Sequence, residues 1–336
     1  MKVAINQISS GSGVDVWAQN LREGIQKAGL SCNLNLLSGI YQFCPGLIPL
    51  NKTICDDADV IQSNTWNGFG FKNETPLVVT EHLVVHDPLF NPYKTLGQKL
   101  FHRQVFKFEK KSLAVADAVV CVSEDTRQKL MEAFGYTDAH VIHNGIDASV
   151  FIQRKITETV WDLPKNKTIL LFAGNLSRRK GADLLPAIMK ALGDDYLLLT
   201  TSGNRNKSQN NIPHSRDLGH LNTERLIEAY NWCDLFILPS RLEGLSLSTL
   251  EAMACAKPVI AFNCSSFPEL IIDGKGGFLC EKDNVKDFAE KISVLAADEN
   301  VRHHMGLFNR KRIEEKFTIE KMTMDYLNIY RPLVKK

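Results

Sequence analysis

Short runs of β-branched and leucine residues alternate with amphipathic stretches along this chain, and that alternation limits its possible folds more than any other feature. In the first half "KVAIN", "CNLNLL", "ADVIQS", "PLVVT", "AVVCVS" and "HVIHN" read as strands. They are short and nearly continuous in apolar residues, as strands of a parallel sheet covered on both faces are. Between them lie segments such as "VDVWAQNLREGIQKAG", with apolar residues at helical spacing and Gly29 at the C-terminal end. After a polar stretch from Ala148 to Lys167 the pattern restarts with "TILLFAG", "YLLLTTSG", "RDLGHL", "LFILPS" and "PVIAFN". The expected fold is α/β, with two doubly wound, Rossmann-like domains facing across a cleft. We expect the first domain over 1–155, the second over 156–315, and a helical tail over 316–336.

A length of 336 residues fits two domains at roughly 100 to 200 residues each. Forty basic against thirty-eight acidic side chains leave a formal charge of +2, too balanced for a nucleic-acid binder with a basic footprint. The eight cysteines (Cys32, Cys44, Cys55, Cys121, Cys233, Cys255, Cys264, Cys280) form no CxxC pair and no zinc spacing, so no metal is expected, and they read as buried thiols in a reducing compartment. "MKVAIN" opens as a strand without the apolar run of a signal peptide, and no apolar stretch reaches about 18 residues, so a cytoplasmic protein is expected.

In open α/β sheets, ligands bind beyond the carboxyl ends of the strands. In "LFILPSRLEGLSLSTLEAMAC" this rule puts Glu243 on a loop and Glu251 in the first turn of the next helix. Paired carboxylate acceptors suit the vicinal hydroxyls of a sugar. The competing reading makes Glu251 the partner of Ser248 in a capping box and Glu243 a solvated loop acid. In "FAGNLSRRKGADLLPAIMKAL", Arg178, Arg179 and Lys180 stand before a helix N-terminus, a place for phosphate or simply a charged turn. His82 follows the strand "PLVVT" and reads either as a site residue or as a structural histidine. "QISSGSGVDVW" offers Gly11 and Gly13 for close backbone approach to a ligand, but Val16 stands where the dinucleotide fingerprint needs a third glycine. Asp57-Ala58-Asp59 has the form of a metal-binding DxD, yet it precedes a buried strand and reads as structural.

Taken in order, "SSGSGVDVW", "VVTEH", "VVCVSEDTRQKL", "HNGID", "FAGNLSRRKGADLL", "EGLSLSTLEAMACAKPVIA", "ELIIDGKGGFL" and "FTIEKMTMDYLNIY" resemble the retaining glycosyltransferases of family 4, group 1, which have the GT-B fold. The resemblance implies that Glu243 and Glu251 are the E-x7-E pair, the first near the transferred sugar and the second on the ribose of the nucleotide. It implies that Lys180 is a phosphate ligand, with Arg179 beside it and with Gly244 and Leu245 on the nucleotide side. It makes His82 the histidine next to the donor sugar, and the loop of Gly11 and Gly13 the segment that approaches diphosphate and acceptor. It also implies that the final helix packs back on the first domain. One position departs from the pattern: Asn175 stands where the family commonly has an arginine.

The resemblance implies a hexosyltransferase that uses a UDP- or GDP-sugar as substrate, needs neither cofactor nor metal, and acts on a glycan or lipid-linked acceptor in envelope polysaccharide or lipopolysaccharide synthesis. The segment 94–111 carries Lys94, Lys99, Arg103, Lys107, Lys110 and Lys111 among Leu96, Leu100, Phe101, Val105, Phe106 and Phe108, with Glu109 its one acid. Such a helix suits either an anionic membrane surface or ordinary packing with a solvated basic face. Two other readings of the chain are a sugar-nucleotide epimerase and a non-catalytic sugar-nucleotide-binding subunit.

Overall fold

The computed structural model describes residues 1–50, 57–155, 161–201 and 211–334. Cys55, read above as a buried thiol, lies outside the described residues, as do Ser202 and Gly203 of the strand "YLLLTTSG". The chain divides into two compact units, one formed by Met1–Gly145 with the tail from Thr318, the other by Ile146–Phe317.

The first unit contains β1 (Lys2–Ile8), α1 (Gly13–Lys27), β2 (Ser31–Leu37), β3 (Val60–Asn64), β4 (Leu77–Glu81), α2 (Leu96–Val115), β5 (Ala118–Cys121), α3 (Glu124–Phe134) and β6 (Ala139–Val141). Its strands are all parallel, in the order β2-β1-β3-β4-β5-β6. The sequence direction reverses between β1 and β3, which makes that edge the switch point of the sheet. Trp17, Leu21 and Ile25 of α1 pack with Val3, Ile5 and Val78 in one cluster, while Ile61, Leu77, Val79 and Val119 join Leu130 and Leu113 in another. Burial in both clusters explains why these strands read as nearly continuous apolar runs.

The second unit contains β7 (Thr168–Ala173), α4 (Leu185–Leu192), β8 (Tyr196–Thr201), β9 (Ser215–Asp217), α5 (Thr223–Trp232), β10 (Leu235–Leu238), α6 (Leu247–Ala254), β11 (Val259–Phe262), α7 (Phe267–Leu270), β12 (Gly277–Cys280), α8 (Val285–Ala297) and α9 (Glu299–Lys316). Its parallel order is β12-β11-β10-β7-β8-β9, with the switch point between β7 and β10. β12 was not among the expected strands.

The tail forms α10 (Ile319–Val334), which packs in the first unit through Met322, Tyr326, Leu327 and Tyr330. The Tyr326 hydroxyl pairs with Thr80 Oγ1 at 2.9 Å, and Tyr330 donates to Gln62 Oε1 at 2.8 Å. Both rings are fully buried, and each contributes about 2 kcal/mol through apolar area removed from water. Residues 146–155, expected in the first domain, group with the second unit. Arg310 donates to the carbonyls of Ala148 and Phe151, and Asn231 bonds Ile152 and Arg154.

One expectation about side chains needs correction. Cys44 is exposed and Cys264 half-buried, so burial holds only for the other five described cysteines. The Asp57 and Asp59 carboxylates are taken up by Lys2, through its ammonium and its backbone N–H respectively. No helix among the described residues is long and apolar enough to cross a membrane.

Candidate functional site

In the second unit, Lys180 follows β7 and Glu243 follows β10, so the switch point brings the two loops together. Gly181 makes the approach possible. It adopts φ +74 with its Cα against the Pro239 carbonyl, where a Cβ would lie 2.0 Å from the oxygen. Arg241 N donates to the Arg179 carbonyl at 2.9 Å. The Arg241 guanidinium, 7% exposed, binds Asp183, Asp283 and the Arg178 carbonyl, which fixes the loop of the cations against two neighbours.

Glu243 is the meeting point of this cluster. Its Oε1 lies 3.1 Å from Arg179 Nη1 and 3.2 Å from Lys180 Nζ, and it accepts from Ser240 Oγ at 2.9 Å. Burial works against the charge, but the two cations and the serine outweigh it and hold the carboxyl down to about 2. Ser265 secures the backbone of the same residue, accepting from its N–H at 3.0 Å and donating to its carbonyl at 2.6 Å. Glu243 is therefore a buried, paired anion and not a solvated loop acid.

Gly244 and Leu245 are buried between Glu243 and the start of α6. The cap of α6 is Ser246, whose Oγ accepts from Thr249 N at 3.3 Å. Glu251 is the fifth residue of the helix, beyond the first turn, and its Oε2 accepts from the Tyr230 hydroxyl at 2.7 Å. This corrects the capping-box reading, because the frame sits two residues earlier than Ser248 requires and the carboxylate has a tertiary partner. Burial pushes the Glu251 carboxyl up to about 7, opposed by the Tyr230 hydrogen bond and the charge of Lys180.

The cations also differ in setting from the expectation. α4 begins at Leu185, so Arg178, Arg179 and Lys180 lie on turns ahead of the helix and not at its first N–H groups. Arg178 is exposed, whereas Arg179 and Lys180 turn inward to Glu243. Asn175 Oδ1 is buried with no hydrogen-bond partner among the described residues.

In the first unit the glycine loop follows β1 at the switch point. Gly11 takes φ +59, which favours glycine. Its N–H and that of Ser10 point to the Asp15 carboxylate at 2.7 and 3.0 Å, and Ser9 Oγ and Gln7 Nε2 also donate to Asp15. Asp15 thus occupies part of the donor set that sequence reasoning assigned to a ligand. Gly13 opens α1 behind the Ser12 cap.

His82 comes directly after β4, with its ring edge-on to Trp17 at 4.5 Å and its Nε2 buried without a partner. Burial holds the imidazole down at about 3, so it is neutral at physiological pH. Beside it Glu81 accepts from Thr65 Oγ1 at 2.7 Å and Leu83 N at 3.0 Å, and faces Glu109 of α2. Burial raises both carboxyls above the usual carboxylate range.

The basic segment is helical only from Leu96, where Thr95 and Gln98 form a capping box. Val105, Glu109, Ser112 and Leu113 face inward, while Leu96 and Leu100 are 80% and 65% exposed in a row with Lys99, Arg103 and Lys107. Lys94 and Lys111 lie over the rings of Phe90 and Phe69.

The description "Glycosyltransferase Family 4" matches residues 12–150 and "Glycosyl transferases group 1" matches residues 153–312. A glycosyltransferase of Methanocaldococcus jannaschii is 30% identical over 231 residues, covering 67% of this chain and 62% of the relative, so the alignment spans about three fifths of that protein. Sucrose-phosphate synthase from Thermosynechococcus elongatus has a similar structure, with a TM-score of 0.87 at 19% identity over 100% of both chains. HepE of Anabaena, solved in complex with UDP-glucose, gives 0.78 at 16% identity over 99% of this chain and 100% of its own.

Proposed function

This chain belongs to the group 1, family 4 glycosyltransferases, and from that premise we propose that it is a retaining hexosyltransferase that uses a UDP- or GDP-sugar. The observation that carries the proposal is the cluster at the β7/β10 switch point, where Lys180 and Arg179 stand beside Glu243 and Glu251 lies in the helix that follows. Breaking the anomeric bond leaves negative charge on the diphosphate, and preorganised cations stabilise it. In this reading Lys180 and Arg179 supply that charge without a metal, and the phosphate oxygens compete with the Glu243 carboxylate for them. Glu243 then lies near the transferred sugar, with Gly244, Leu245 and Glu251 on the nucleoside. Retention follows from attack on the face that the diphosphate leaves.

In the first unit, His82 and the loop of Gly11 and Gly13 serve the donor sugar and the acceptor. A neutral imidazole suits a sugar hydroxyl better than it suits a phosphate. The acceptor is a glycan or lipid-linked glycan of the envelope, and the unit meets an anionic membrane on its cytoplasmic face. Leu96 and Leu100, exposed among cations, support that contact.

A thermal-shift panel of UDP-, GDP- and ADP-sugars tests the donor, since a ligand at about 100 times its Kd stabilises by about 2.7 kcal/mol. The similarity to HepE supports the UDP arm. We expect a UDP- or GDP-sugar to raise the melting temperature, and a product with the donor's anomeric configuration by NMR. No shift with any of the three would overturn the donor assignment, and turnover without an acceptor would favour an epimerase.

A further inference from the structure

Tyr230 lies on α5, outside every motif of the sequence, and its ring is fully buried against Phe151 and Phe236. The ring meets Phe151 in a T-shaped contact and Phe236 in a tilted one, and even a flip about its own axis leaves the hydroxyl in place. That hydroxyl donates to Glu251 Oε2 at 2.7 Å, so a fixed post on one helix holds one oxygen of a carboxylate on another. A carboxylate accepts along both oxygens, and holding Oε2 fixes the direction in which Oε1 is presented. Glu251 is itself half-buried, not enclosed.

We propose that Tyr230 is a positioning residue for nucleotide binding, which orients Glu251 so that its second oxygen meets the vicinal hydroxyls of the ribose. The inference rests on the reading of Glu251 as the ribose ligand. A hydroxyl accepted by an ionised carboxylate forms a charge-assisted bond, stronger than a neutral one and more dependent on direction. Aligning the acceptor before the nucleotide arrives removes part of the ordering cost of binding.

Ionisable groups near this pair come from four places. Tyr230 reaches Glu251 from α5 and Lys180 acts on it from the loop after β7, both favouring the ionised form against burial. The thiols of Cys233, after α5, and Cys255, after α6, act on Tyr230. The Tyr230 hydroxyl is kept protonated by burial and by Glu251, so it remains the donor. Removing it takes away one of the two influences that lower the Glu251 carboxyl. Nucleotide affinity should then begin to fall at a higher pH than in the wild type.

The test is calorimetric titration of UDP-glucose, or of GDP-mannose if the protein selects guanine, across pH about 5.5 to 8.5. Both phosphates of such a donor are esterified, so it lacks the second ionisation near 6 of a terminal phosphate. In Tyr230→Phe we expect affinity about tenfold weaker at neutral pH and a profile displaced to higher pH. In Glu251→Gln the profile should flatten, and adding Tyr230→Phe to it should cost nothing more, since the two act as a unit. Replacing Tyr230 by 3,5-difluorotyrosine keeps the ring and strengthens the donor, so the profile should move to lower pH. This second variant decides the matter if Tyr230→Phe does not fold. Affinity and profile like wild type in folded Tyr230→Phe, or an unmoved profile with difluorotyrosine, would overturn the positioning role while leaving the ribose reading intact. Wild-type binding by Glu251→Gln would instead overturn the ribose reading, and this inference with it.

Discussion

At Glu243 the cost of burying a carboxylate is offset by two cations and a serine hydroxyl, and the balance predicts a pH dependence of stability. Its carboxyl is held at about 2 against an ordinary 4.5, so the stabilisation is present above the unfolded value and is lost as pH falls through the folded one. A depression of that size corresponds to about 3 kcal/mol. Glu243→Gln should be less stable than wild type at neutral pH, and the gap should close between about pH 4.5 and 2 in urea denaturation. A gap that is unchanged at acid pH would show that the ion pairs contribute nothing. The two glutamates were legible as a pair through the family resemblance, and Glu243 also through its place on the loop after a strand. Ser240 and Arg241 adjoin Glu243 but carry no mark of their own, and Tyr230 is twenty-one residues from Glu251, so only tertiary folding connects them. Asp15 was missed for a different reason: a glycine loop read from sequence shows which backbone can approach a ligand, not which side chain already occupies its N–H groups.

The strands were legible from their apolar runs, but the helix starts on which the site depends were not. α4 and α6 each begin where the loop contacts end, at Leu185 and Leu247. Those contacts, Gly181 on the Pro239 carbonyl and Ser246 on Thr249 N, are long-range or depend on a choice between two serines, Ser246 and Ser248. β12 has no long apolar run to mark it, since Gly274, Gly276 and Gly277 crowd its start in "GKGGF". Gly277 has φ +144 against the Val259 carbonyl, where a Cβ would lie at 1.8 Å, so the glycine serves strand pairing. On α2 the outward row of Leu96, Lys99, Leu100, Arg103 and Lys107 gives a prediction for the element as a whole. Liposomes with anionic lipid should carry the protein in flotation at low salt and release it as salt rises, at about 1 kcal/mol per cation near the surface. Lys99→Glu with Lys107→Glu should abolish flotation without altering the melting temperature. Equal flotation by that folded variant, or none by wild type, would return α2 to ordinary packing.

Each unit of the molecule is a parallel sheet with one reversal of strand order, and in each the reversal coincides with a predicted ligand loop. In the first it is the loop of Gly11 and Gly13 after β1; in the second it is the loop of Lys180 after β7, beside the loop of Glu243. The existence of two such sheets could be read from the repeated pattern, but strand order depends on non-local pairing that periodicity does not encode. The assignment of the tail helix to the first unit came from family resemblance, and the buried Tyr326 and Tyr330 supply its physical reason. In the proposed function the second unit divides its donor into a phosphate held by Lys180 and a ribose held by Glu251. Calorimetric titration of the sugar nucleotide and of the bare nucleoside into wild type, Lys180→Ala and Glu251→Gln tests it directly. Lys180→Ala should lose roughly tenfold or more in affinity for the sugar nucleotide while keeping that for the nucleoside, and Glu251→Gln should lose both. Equal binding of the sugar nucleotide by all three folded proteins, or loss of nucleoside affinity in Lys180→Ala alone, would contradict that division.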